Sequence, residues 1–199
     1  MSKRIVVISR QFGSGGRAIG QLVANKLGVK CYDRTLIDLT AKASGFDKAT
    51  LEHLDEKANS LIFTPIPIGH YANFGSSDLQ YTLNDKIFFV QSDIIRKIAE
   101  KESAVIIGRC ANYVLSERDD VLRVFIYADK ESRVKSVAER QYIDAKSANY
   151  LVTKMDKKRA NYYKFYTGSK WGDLSNYDLV IDSELGYEKV SEIILAATK

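Results

Sequence analysis

The chain has only two cysteines in 199 residues, Cys31 and Cys110, too few and too far apart for a disulfide framework or a paired-thiol metal or redox motif. Both read as free, buried thiols in a reducing compartment. With two prolines and twelve glycines, collagen-like and low-complexity chains are excluded. No apolar run approaches the ~18 residues of a membrane-crossing helix. The opening run, Ile5 to Ile8, is also too short for a signal-peptide core. The expectation is a cytoplasmic protein with no membrane partner. The two histidines, His53 and His70, have no ligand-spaced neighbours, so no metal cluster is legible. What is present is ordinary for a globular domain. Hydrophobic residues make up 45% and charged residues 28%, enough for a sizeable core in one domain spanning 1–199.

Basic residues exceed acidic ones by 30 to 25, a net charge of +5. The excess has one location. Residues 130–170 carry eleven basic and four acidic side chains, a net of +7, which leaves the rest of the chain at −2. Acids interrupt the stretch and no recognition motif accompanies it, which argues against a nucleic-acid partner. Its lysines, Lys146, Lys154, Lys157 and Lys158, read as a solvated helix face.

Apolar runs and helical periodicities alternate. Ile5–Ile8, Val29–Tyr32, Ala104–Ile107, Val121–Tyr127 and Leu179–Ile181 read as strands. Ile19, Leu22, Val23 and Leu27 share one helical face, and Gly28 is placed to end that helix. Ile87, Phe88, Ile94, Ile95 and Ile98 line another helix, and Val190, Ile193 and Ile194 a C-terminal one. Strand–helix alternation of this kind predicts an α/β fold, a parallel sheet of about five strands with helices on both faces. Residues 44–84 break the rhythm and read as an insert on the substrate side, helical near Lys48–Lys57.

Between the first strand and first helix stands Ser9-Arg-Gln-Phe-Gly13-Ser-Gly-Gly-Arg17-Ala-Ile-Gly20. A strand, a glycine-rich turn and a helix N-terminus in this order form an anion site. The segment is close to a P-loop but departs from its strict pattern. The lysine position falls on Gly16 or Arg17, and with Arg17 there, Ala18 occupies the place of the Mg²⁺-binding hydroxyl. Arg17 still offers a permanent bidentate charge for phosphate oxygens. A dinucleotide fingerprint fits worse, because Ala18 replaces its third glycine.

Together, Ile8-Ser-Arg-Gln-Phe-Gly-Ser-Gly-Gly-Arg17, Tyr32-Asp33-Arg34, Ile106-Ile-Gly108-Arg109-Cys-Ala and Tyr162-Tyr-Lys-Phe-Tyr-Thr-Gly-Ser-Lys-Trp-Gly172 resemble the cytidylate kinase-like family, itself similar to nucleoside monophosphate kinases. The resemblance implies a three-layer P-loop kinase fold with a monophosphate-binding insert and an arginine-bearing helical lid over 130–170. It implies that Gly13, Ser14, Gly15, Gly16, Arg17 and Ala18 cradle ATP phosphates. It further implies that Asp33, Arg34 and Arg109 face the acceptor and that Arg133, Arg140 and Arg159 are lid arginines. Arg133 and Arg140 are seven apart, hence on one helical face, and Asp156, Arg159, Tyr163 and Tyr166 share another. On that second face Asp156 is placed to orient Arg159 while the tyrosines stack or hydrogen-bond.

The expected activity is ATP-dependent phosphoryl transfer to a small anionic acceptor, a pyrimidine nucleoside monophosphate such as CMP. Arg17, Arg133, Arg140 and Arg159 would neutralise the phosphoryl group, and Tyr163 and Tyr166 would join the acceptor site. Acids that usually flank the Gly-Arg of the third strand are replaced by Ile107 and Cys110. Mg²⁺ therefore needs other ligands, such as Ser14, Asp33 and waters. The alternative is a nucleotide- or phosphate-binding module without kinase activity. The oligomeric state is open, a homodimer included.

Overall fold

The computed structural model describes residues 4–33, 35–45 and 82–199. The expected helix near Lys48–Lys57, Arg34 and most of the insert lie outside them. Two compact units divide the chain, one of residues 1–33 with 95–199 and the other of residues 34–94.

The larger unit is built on five parallel strands in the order β2-β3-β1-β4-β5. They are β1 (Ile5–Arg10), β2 (Lys30–Tyr32), β3 (Ala104–Ile107), β4 (Val121–Tyr127) and β5 (Leu179–Asp182). In β1, Val7 pairs with Ile106 on one side and Arg123 on the other. The chain moves to one side of β1 to make β2 and β3, then crosses to the other for β4 and β5. The switch in direction falls beside β1, whose carboxyl end is the usual place for a ligand in such sheets.

Near-continuous β-branched strands need apolar cover on both faces. On one face Val6, Ile8, Val105, Ile107, Val124, Ile126 and Ile181 pack beneath helices α1 (Gly16–Leu27) and α7 (Tyr187–Ala196), which contribute Ile19, Val23, Val190 and Ile194. A β-carbon at Gly20 would lie 2.8 Å from Ile107 Cδ1, so the glycine lets α1 sit close on the sheet. On the other face Ile5, Val7 and Ile106 are equally buried, and the short helix α4 (Ala111–Val114) packs on β1. The sequence expectation of an α/β parallel sheet with helical cover is met, Gly28 capping α1 at φ +66° as anticipated.

Two further helices, α5 (Lys130–Gln141) and α6 (Ala145–Thr167), pack on each other as a helical arm. Asp129 and Asp144 cap them, each side chain accepting a first-turn amide, from Glu131 and Ser147. Lys158 in α6 is buried, contrary to the expectation of a solvated lysine face.

The smaller unit holds α2 (Thr35–Ser44) and the start of α3 (Leu83–Lys101), which runs on into the larger one. A reciprocal cap starts α3: Asp85 accepts the Thr82 amide at 2.9 Å, and Thr82 Oγ1 accepts that of Asp85 at 3.2 Å. No helix among the described residues is long and apolar enough to cross a membrane.

Candidate active site

The loop between β1 and α1 is shaped by residues that no ordinary side chain could replace. Gly13 and Gly15 have φ of +86° and +72°, in the left-handed region that glycine enters freely. A β-carbon on Gly13 would lie 2.9 Å from the Arg133 carbonyl oxygen, and one on Gly15 would run into the phenol of Tyr187. Gly15 is the N-cap of α1, no side chain caps it, and the first turn holds no acid. The first-turn amides and the positive end of the helix dipole therefore serve the loop itself.

The loop is tied to β4. Gln11 donates its amide to the Ile126 carbonyl at 3.0 Å, and its side-chain oxygen accepts from the Ala128 amide at 3.2 Å. Buried Ser14 donates its hydroxyl to the Gln11 carbonyl at 3.0 Å and lies 3.3 Å from that of Ile126.

Sheet order brings the ends of β2, β3 and β1 side by side, and charge collects there. Asp33 follows β2. Its Oδ2 is 2.8 Å from Arg17 Nε and its Oδ1 3.8 Å from an Arg10 terminal nitrogen. The Arg10 guanidinium lies where a β-carbon of Gly108 would stand. After that glycine, Arg109 and Cys110 both take left-handed φ, +59° and +54°. Such backbone costs about 1 kcal/mol or more per residue and gathers at functional turns. Burial pushes the Cys110 thiol up to about 12 and the half-buried Cys31 thiol up to about 11. Neither is a thiolate nucleophile near neutral pH.

The helix α6 lays one face along this edge. Asp156 accepts the Phe12 amide at 2.8 Å and pairs with Arg133 at 2.6 Å. One turn on, Arg159 donates to the Arg10 carbonyl at 2.8 Å, its guanidinium carbon 5.5 Å from the Phe12 ring centre. A further turn on, buried Tyr163 accepts from Asn112 Nδ2 at 2.8 Å, just beyond the strained turn after β3. Burial raises its phenol pKa above the ordinary value.

The expected face of Asp156, Arg159 and Tyr163 is thus turned to the sheet edge. The carboxylate expected to orient Arg159 holds Arg133 instead. Tyr166 rests against the rings of Tyr162 and Phe165, 4.8 and 4.9 Å away. Arg140 stands exposed in the last turn of α5. Trp171 packs edge-on against Phe125 at 5.4 Å as part of the fold. Four residues of this neighbourhood were not anticipated: Arg10, Phe12, Asn112 and Tyr187. Arg10 and Phe12 lie inside the glycine-rich segment, and their position between strand and first glycine was the available signal. Asn112 and Tyr187 carry none.

The family model described as cytidylate kinase-like matches residues 5–185, spanning the loop, the strained turn and the arm. The chain belongs to the cytidylate kinase-like family. Among cytidylate kinases, that of Methanosarcina mazei is 26% identical over 186 residues, covering 90% of this chain and 87% of its own. Those of Methanopyrus kandleri and Methanoculleus marisnigri are 33% and 30% identical, but the chain spans only 57% and 52% of their length. An uncharacterized protein from Eubacterium ventriosum is similar in structure at TM-score 0.73 and 30% identity, covering 98% of this chain and 97% of that one. Shikimate kinase from Bacteroides thetaiotaomicron shares the fold alone, at TM-score 0.53 and 13% identity over 96% of this chain and 97% of its own.

Proposed function

We propose that this protein transfers the γ-phosphoryl group of ATP to a small anionic acceptor, a pyrimidine nucleoside monophosphate such as CMP. The observation that carries the reading is the uncapped N-terminus of α1 behind Gly13 and Gly15, with arginines at its rim and no acid in its first turn. Membership of the family supports it independently.

In this reading the loop amides from Gly13 to Ala18 hold the ATP phosphates. Arg17, Arg140 and Arg159 supply positive charge to the transferred group, while Arg133 is turned to the loop backbone. Asp33, Arg34, Arg109, Tyr163 and Tyr166 belong to the acceptor side. The bond from the γ-phosphorus to its bridging oxygen breaks, ADP leaves, and a new bond forms to an acceptor phosphate oxygen. That oxygen carries no proton at neutral pH, so the acceptor needs no general base. Asp33, neutralised by Arg17 and Arg10, suits a counter-ion better than a base. A hydroxyl acceptor would have to surrender a proton, and this edge is poorly equipped to take it.

Among the described residues no cluster of three or more acids, histidines and cysteines could hold a metal by itself. In this reading Ser14 and Asp33, with waters and the ATP phosphates, would hold Mg²⁺. Bound there, it would neutralise phosphate charge during transfer.

The test is coupled ADP release with MgATP against CMP, UMP, dCMP, AMP and GMP, with shikimate as a hydroxyl control. Stimulation by a pyrimidine monophosphate and none by shikimate is expected. If no acceptor stimulates turnover while ATP still binds, the protein is a nucleotide-binding module, and the transfer claim falls.

A further inference from the structure

Arg133 and Asp156 form one of the least exposed ion pairs among the described residues, with side chains 7% and 20% exposed. A buried pair contributes little net stability by itself, because desolvating two charges offsets most of their attraction. What distinguishes this one is the use made of its spare valences. Arg133 donates to the Ala128 carbonyl at 3.1 Å and to the Phe12 carbonyl at 3.0 Å, and Asp156 takes the Phe12 amide. The Phe12 ring packs on the arm's apolar cluster of Val137, Ala148 and Val152, with Arg159 against it. The amide, carbonyl and ring of a single residue are thus all held by the arm. That residue immediately precedes Gly13, whose missing β-carbon lets the Arg133 backbone approach.

We propose that Arg133 and Asp156 are positioning residues. The pair fixes the glycine-rich loop in its phosphate-receiving shape from behind, through Phe12, and does not itself meet the transferred phosphoryl group. This departs from the sequence expectation for Arg133 and rests on the phosphate-binding reading of the loop. The chemistry favours it because the buried Arg133 guanidinium is committed through Nε to the Ala128 carbonyl and through one terminal nitrogen to both the Phe12 carbonyl and the Asp156 carboxylate. Turning it to a phosphate would break the Phe12 contacts that shape the loop.

Two variants test the proposal, Arg133→Lys and the milder Asp156→Asn, which keeps an acceptor for the Phe12 amide. Two readouts are taken at a temperature where circular dichroism shows each variant folded. One is hydrogen exchange of the Phe12 amide by NMR in the ligand-free protein. The other is affinity for a non-hydrolysable ATP analogue, set beside kcat. The expected result is a fall in Phe12 protection and a rise in analogue Kd of about tenfold in each variant. The Lys substitution should not rescue, since one ammonium cannot span three acceptors. If Phe12 protection is unchanged, or if kcat falls while analogue Kd stays at the wild-type value, the proposal is overturned. Exchange is read without nucleotide. Failure of the wild type to bind or turn over ATP would therefore refute the phosphate reading and leave the Phe12 result standing on its own.

Discussion

Arg17 and Asp33 meet at 2.8 Å, so the one cation at the start of α1 is bound to the one carboxylate at the end of β2. In the proposed function, an incoming phosphate would have to compete with Asp33 for Arg17. The Arg17 side chain is 61% exposed, so water screens the pair and it is worth less than about 1 kcal/mol.

Asp33→Asn releases Arg17. Titration calorimetry with a non-hydrolysable ATP analogue in the absence of Mg²⁺ should show binding tighter by about two- to fivefold. Turnover with MgATP should fall, because a proposed Mg²⁺ ligand is lost. Weaker analogue binding would show that Asp33 orients Arg17 and does not restrain it.

Gly15→Ala combines two penalties, a positive φ and a collision with Tyr187. The backbone alone costs about 1–2 kcal/mol, and the collision adds to it. Thermal unfolding should register the loss. Adding Tyr187→Ala should restore the steric share and leave the backbone share, a non-additive pair in a double-mutant cycle.

Tyr163→Phe strands the amide of Asn112 in a buried place. Urea unfolding should report a loss of about 1–3 kcal/mol. Replacing both groups, Asn112→Ala with Tyr163→Phe, should cost less than the sum of the single changes.

The thiols give a pH dependence of known sign. In the unfolded chain Cys31 and Cys110 ionise from the ordinary value of 9.0, but in the fold only near 11 and 12. Above pH 9.0 the unfolded state therefore holds fewer protons than the folded one, and stability falls as pH rises toward those values. The urea midpoint of Cys110→Ala should decline less steeply between about pH 8.5 and about pH 10.5 than that of the wild type. At pH 8 a thiol reagent should leave Cys110 untouched until denaturant is added.

Much of this architecture was legible beforehand, and the exceptions share a cause. Ala104–Ile107 and Val121–Tyr127 are strands with the expected bounds, because burial on both faces leaves an apolar signature broken only at Arg123. β1 runs two residues past Ile8, since Ser9 and Arg10 still pair with Phe125 and Ile126. That extension depends on the neighbouring strand and not on the polarity of the residues themselves. The glycine loop and the inward face of α6 were readable from local spacing. The partner of Asp156 was not, because Arg133 reaches it only through the packing of α5 on α6. Asn112 and Tyr187 join the neighbourhood for the same kind of reason: their place comes from distant elements and leaves no mark in adjacent residues.

The hydrogen bond from the Phe12 amide to Asp156 joins positions 144 residues apart. During synthesis the N-terminal segment leaves the ribosome long before its partner has been made. A nascent chain that stops short of α6 lacks the contacts that hold Phe12, whatever else it has folded. The loop's final geometry is therefore acquired late, after most of the polypeptide has been translated.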